Sequence, residues 1–319
     1  MENNWYDNFM DELRKKYPKR TQLSKELIDL LFIEREAVYR RLRREVLFPV
    51  NEIVKIASAW NISLDELIGI NSGQVSFQMQ MINYIIPSEE ELKYLQSIIQ
   101  SINSLQKYPQ TEFMDICNKL PRQLVAGYKL LNQFYLFKWI YQYGNEKEIV
   151  PFSKIIISKE KQEVEEAYYK AIKNVPNSNF IWDSRIFEYL INNIKYFYAI
   201  RMITDQEKDQ IKNELIELLG YLMEIAVNGC YPETKNKVNL YISQLSIDTN
   251  YSYTFSPEAN ICFIHVFEKF DIYTFNTEMV INFKKWMQLK KRSSVQISEV
   301  DERSRIEFFT KQYQLLESL

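Results

Sequence analysis

The side chains with the most chemistry to offer are gathered in residues 34–45, EREAVYRRLRRE. At a helical period Val38 and Leu42 share one side of this stretch, and Arg35, Tyr39, Arg40, Arg43 and Arg44 turn outward. A guanidinium is a rigid fork of donors that matches a guanine edge or a phosphate, so such a face suits a DNA major groove. A solvated or protein-binding face has the same composition. What favours DNA is that the arginines coincide with a turn, a packing side and a further helix. Lys16 ends an earlier segment, Arg14-Lys15-Lys16, whose cations either contact phosphate or complement a helix C-terminus.

Three short helices must position this face. Trp5, Phe9, Met10 and Leu13 predict a first helix over 5–18. A second is expected from Leu23 or Ser24, with Ser24 as its N-cap and Leu27, Leu30 and Leu31 inward. Phe32-Ile33-Glu34 is the turn before the arginine helix of about Glu34–Glu45. Pro49 opens another helix with Ile53, Val54, Ile56, Ala57 and Trp60 on its buried stripe. Ser63 then caps LDELIG, closed by Gly69.

The stretch IDLLFIEREAVYRRLRRE, followed by VNEIVKIASAWNISLDELIG, resembles the phage-repressor-like helix-turn-helix regulators of bacteria over about 50 residues. The resemblance implies a small helical DNA-reading bundle. It puts Arg35, Glu36, Tyr39 and Arg40 at base edges or flanking phosphates, with Arg43 and Arg44 on the backbone. The chain departs from that pattern at Ile28, where the family has a small residue, and at Phe32, where glycine is common.

Charge distribution agrees with a local nucleic-acid surface. The 319 residues carry a formal charge of −2, yet residues 14–44 hold eleven basic and four acidic groups, a net +7. Three dispersed cysteines, Cys117, Cys230 and Cys262, form no CxxC pair and are expected to be reduced thiols of a cytoplasmic protein. No apolar run approaches the ~18 residues of a membrane span, and the N-terminus has no apolar signal region. HExxH, GxSxG, GxGxxG and P-loop patterns are all absent. His265 and Cys262, three apart on a strand, would face opposite ways, so His265 is expected to be a satisfied core histidine.

Beyond the reading head, 73–87 is expected to be a connector, and 88–235 a helical dimerisation or sensor region. Within it RQLVAGYKLLNQFYLFKWIYQYG should be one helix, with 182–202 and 205–228 an antiparallel pair. Residues 237–245, 250–255, 260–267 and 271–275 alternate and are rich in β-branched and aromatic side chains, which predicts a small antiparallel meander. Two helices, 277–292 and 302–316, complete a C-terminal part at 236–319. The tail from Lys284, with Lys290, Lys291, Arg292, Ser293, Ser294 and Ser298, is similar to that of a group of bacterial helix-turn-helix regulators. Those residues would make an anion site or, as favoured here, a helix end with its caps.

The fold expected is therefore mainly α: an N-terminal helix-turn-helix bundle in 1–72, a central helical region and a C-terminal α+β part. The function expected is that of a transcriptional regulator binding double-stranded DNA sequence-specifically as a homodimer, with a C-terminal dimerisation or effector region and no catalytic residues, cofactor or metal. The alternative is a protein-interaction adaptor, favoured where Arg35, Arg40, Arg43 and Arg44 are engaged in intramolecular ion pairs.

Overall fold

A computed structural model describes residues 5–60, 62–64, 67, 75–79, 88–258, 260–266 and 270–319. It divides into two compact units, Met1–Ser76 and Phe77–Leu319. Among the described residues no helix is long and apolar enough to cross a membrane.

The first unit is built of helices α1 (Trp5–Lys16), α2 (Arg20–Leu31), α3 (Arg35–Leu42) and α4 (Val50–Trp60). Phe9, Leu13, Leu27, Val38, Ile56 and Trp60 meet in one core, as their 3- to 4-residue spacing requires. Val54, expected on the buried stripe, is exposed. The start of α2 also differs from expectation. The helix begins at Arg20, so Ser24 lies inside it, buried, and its hydroxyl donates to the Arg20 carbonyl 2.7 Å away. A serine can satisfy its hydroxyl one turn back and need not mark a helix start. Most of the short helix expected at 64–69, and most of the 73–87 connector, lie outside the described residues.

The second unit is an α/β body around one eight-stranded mixed sheet. Its strands are β1 (Gln78–Met79), β2 (Glu112–Cys117), β3 (Asn177–Asp183), β4 (Lys237–Ser243), β5 (Tyr251–Phe255), β6 (Asn260–Val266), β7 (Phe270–Thr274) and β8 (Ser294–Gln296). Their order is β1-β7-β6-β5-β2-β3-β4-β8. The central trio β2-β3-β4 is parallel, and the remaining pairs are antiparallel.

This corrects two expectations. The region 88–235 is not a purely helical one, because β2 and β3 lie in it and form the middle of the sheet. Nor is the sheet a small meander. Strands β5, β6 and β7 do form one, but β4 pairs with β3 and β8 instead of β5. A parallel neighbour needs a long crossover, which the helices supply. Thus α6 (Arg122–Val125), α7 (Lys129–Tyr143) and α8 (Lys159–Lys173) link β2 to β3, while α9 (Glu188–Ala199) and α10 (Asp205–Asn228) link β3 to β4. Helix α5 (Glu89–Ser104), entered through a Ser88–Glu91 capping box, packs on α8. Helix α11 (Thr277–Lys290) covers Met114, Ile116, Ile181, Tyr253 and Cys262 on one sheet face. The opposite face, with Phe113, Phe180, Trp182 and Leu240, packs on α7, α9, α10 and α12 (Glu302–Glu317).

The single helix expected over 122–144 is also divided. Its break falls at Gly127, where a Cβ would stand 2.7 Å from the Tyr169 ring. Only a residue without a side chain admits that approach of α8.

Candidate nucleic-acid interface

Helix α2 ends because Phe32 turns left-handed (φ 56°, ψ 43°), its N–H still bonded to the Ile28 carbonyl. This is the conformation that glycine takes most cheaply. Phe32 holds it with its ring 85% exposed and the Lys55 ammonium 5.2 Å above the ring centroid. Ile28 packs partly buried on the core of the unit. Glu34 then leads into α3, which is anchored by the fully buried Val38.

Apart from Lys16, the last residue of α1, the expected site residues are gathered on or just after α3. Arg35 Nη2 donates to the Tyr39 hydroxyl at 3.1 Å. That hydrogen bond, with the charge proximity, raises the Arg35 pKa and lowers that of Tyr39 below its ordinary 10. The Arg35 and Arg20 guanidinium groups lie 5.3 and 5.9 Å from the Tyr39 ring centroid, so one half-buried aromatic carries two cations. Arg20 entered the sequence analysis only as one of the eleven basic groups of residues 14–44. It comes into place only because α2 begins three residues earlier than expected.

The remaining arginines are matched by acids of the same unit. Arg40 stands 3.7 Å from Glu45, and Arg43 bridges Glu36 at 2.9 Å and Glu45 at 2.6 Å. Arg44, left-handed at φ 64°, pairs with Asp7. All are at least two-fifths exposed, where ion pairs contribute only about 0–1 kcal/mol and exchange readily. Arg41 differs. It makes a bidentate bridge to Glu52 at 2.6 and 2.8 Å, with side chains only 16% and 13% exposed. Of RRLRR, then, Arg41 ties α3 to α4 and the others stay accessible. Lys16 directs its ammonium to the Trp60 carbonyl at the end of α4, a complement to that helix's C-terminus rather than to its own.

In the second unit the loop after α11 uses its polar groups internally. The Ser293 and Ser294 hydroxyls donate to the Lys290 carbonyl. Ser298 is fully buried and accepts from the Leu240 N–H. Lys291 donates to Asn179 Oδ1, and burial lowers its pKa.

A further polar cluster escaped the sequence reading. Asp115 on β2, Ser252 on β5, and His265 and Asp271 on β6 and β7 converge through the register pairs Asp115↔Ser252 and His265↔Asp271. His265 Nδ1 is 2.6 Å from Asp271 Oδ1, and Nε2 is 3.1 Å from Ser252 Oγ and 4.0 Å from Asp115 Oδ1. Gln123 donates to Asp115 Oδ2, while the buried Oδ1 accepts no hydrogen bond among the described residues. Burial pushes the Asp115 carboxyl up to about 6, against the opposing pull of His265 and Gln123. Burial works to lower His265, but the bond to Asp271 and the charges of both carboxylates hold it above its ordinary 6.5. His265 is thus bonded on both nitrogens yet a third exposed, not a core residue. Its orientation is the reverse of a nucleophilic triad, in which the hydroxyl faces substrate and the carboxylate is buried. Here Ser252 is buried and Asp271 is about half exposed. The arrangement suits proton exchange between solvent and Asp115. Its one signal in the sequence was Asp115 itself, a lone acid in the apolar run EFMDIC.

Cys262 lies buried on the α11 face, away from His265. The three cysteines are free thiols, and burial raises Cys117 and Cys262, the latter to about 11. Among the described residues no group of three or more His, Cys, Asp or Glu side chains is placed to hold a metal ion. Comparison with protein-family models, with curated proteins and with solved structures finds no match for this chain.

Proposed function

We propose that the chain is a cytoplasmic transcriptional regulator that binds double-stranded DNA sequence-specifically through a helix-turn-helix in its first unit, as a homodimer. The carrying observation is the outward face of α3. Arg35 and Arg40 stand exposed and Tyr39 half-buried between them on a helix anchored by Val38, beside a turn set by the left-handed Phe32. Residues 14–44 carry a net +7, the sign of charge that a phosphate backbone selects. Dimerisation follows from docking geometry, since one reading helix makes few base contacts and two-fold pairing doubles the site. The test is selection of genomic fragments by the purified chain, then a salt titration of the best fragment. A two-fold motif with half-sites about one helical turn apart, and a steep fall of affinity with salt, is the expected result. Enrichment no better than random DNA at low salt, with folded protein, would overturn it.

The second reading is a protein-interaction adaptor. It is favoured by the acids that already face Arg40, Arg43 and Arg44. Those acids make the surface zwitterionic and would repel phosphates not held closely by the arginines. On that reading the selection fails, and the α3 face is protected by a protein partner.

A further inference from the structure

The second unit holds a cavity of about 270 Å³ where the turn before α7, the first turns of α7, the 155–157 segment and α8 meet. It is smaller than the ~300–1,000 Å³ typical of drug-sized ligands, so its volume suits only a small molecule. Three observations give that occupant a chemistry. Asn132 is 92% buried and lines the cavity, and its side-chain amide has no hydrogen-bond partner among the described residues. Its amide is not one of the fully buried unpaired groups, so its polar atoms stay open to the cavity, where a ligand's polar groups can pair with them. Second, Lys129 and Glu166 line the same cavity but are not within ion-pair distance of each other or of any other charge among the described residues; Glu166 accepts only from Gln162, at 3.1 Å. Third, the rim carries Ile156, 85% exposed, an apolar side chain with no packing role in its own core.

We propose that this cavity binds a small zwitterion of the α-amino-acid class. Lys129 takes the carboxylate, Glu166 takes the ammonium, Asn132 supplies the buried hydrogen bonds, and Ile156 closes over the ligand's side chain. A ligand with one charge would leave the opposite rim charge unanswered, and an apolar one would leave Asn132 unpaired. The site does not depend on whether α3 reads DNA, and its test involves no DNA.

The full chain is titrated calorimetrically with each standard amino acid up to about 10 mM, a range that captures even weak specific sites. Saturable binding of at least one is expected. Its N-acetyl and carboxamide derivatives, each lacking one charge, should bind at least about tenfold more weakly. Lys129→Met and Glu166→Gln, both at exposed positions, should each weaken the parent amino acid by a similar factor while leaving the melting temperature unchanged. Asn132→Leu should abolish binding; if that variant misfolds by circular dichroism, the two rim variants decide. Absence of saturable binding for every amino acid overturns the proposal. So does binding that survives both rim substitutions, or that is equally strong for the blocked derivatives.

Discussion

Arg40 and Arg41 are neighbours in sequence with opposite duties, and substitution should separate them. Arg40 is exposed, with one loose partner at 3.7 Å. Arg40→Ala is expected to leave the melting temperature unchanged and to weaken operator binding by about 1–3 kcal/mol, with relaxed preference at one base position. Lys16→Ala should do the reverse, lowering stability by about 0.5–1 kcal/mol through loss of the α4 terminus contact. Arg41 and Glu52 form a largely buried bidentate pair. Glu52→Gln should therefore cost the first unit about 2–3 kcal/mol in urea unfolding, because a guanidinium is left without its charge partner. Asp115 gives a pH signature. Its carboxyl ionises near 3.8 ordinarily and at about 6 in the folded chain, so between these values the folded state binds the proton better. Stability contributed by this group is complete below about pH 4 and is lost as pH rises through about 6. Raised His265 acts in the same direction, above its ordinary 6.5. Asp115→Asn should flatten the first window, making the variant more stable than the parent above pH 6 by up to about 3 kcal/mol. Parallel pH dependences of unfolding for parent and variant would refute this.

At the scale of elements, the tightest junction is the end of α10. Gly229 closes it left-handed at φ 63°, with its N–H on the Ile225 carbonyl at 2.8 Å. Glu299, also left-handed at φ 59°, donates its N–H to the Ala226 carbonyl, 2.9 Å away, and lays its side chain across the glycine. A Cβ on Gly229 would stand 2.3 Å from the Glu299 carboxyl carbon. Gly229→Ala should thus cost about 1–2 kcal/mol for the backbone alone, plus the displacement of Glu299. In the double variant with Glu299→Ala the steric part should be recovered and the backbone part should remain. A thermal-melt cycle reads both.

At the scale of the molecule, the two units have separate cores. That of the first unit includes Phe9, Val38 and Trp60, and those of the second are built on the sheet. Each is large enough to fold alone, the smaller one marginally so. Fragments 1–76 and 77–319 are expected to show cooperative melts separately, and the proposed operator binding should be found in 1–76 at reduced affinity. A cut instead at 235/236 should unfold the second unit. It separates β2 and β3 from β4, whose seven-residue register with β3 runs through the centre of the sheet.

The first unit was legible because its information is local. Helical spacing of apolar residues, Pro49 and the turn at 32–34 act within a few residues, and the Arg35–Tyr39–Arg40 face follows from the period of one helix. The strands β5, β6 and β7 were legible for the same reason, as alternating runs joined by short turns. What the sequence could not determine was pairing at long range. EFMDIC and NSNFIWD are short, almost wholly buried runs with no alternation, and nothing in their periodicity distinguishes a central strand from a piece of buried helix. Only the tertiary structure decided that β4 leaves the meander to join β3, that Arg41 is spent on Glu52, and that Asp115 meets His265. Each of these is a contact between residues distant or differently oriented in the chain, settled by which surfaces bury one another.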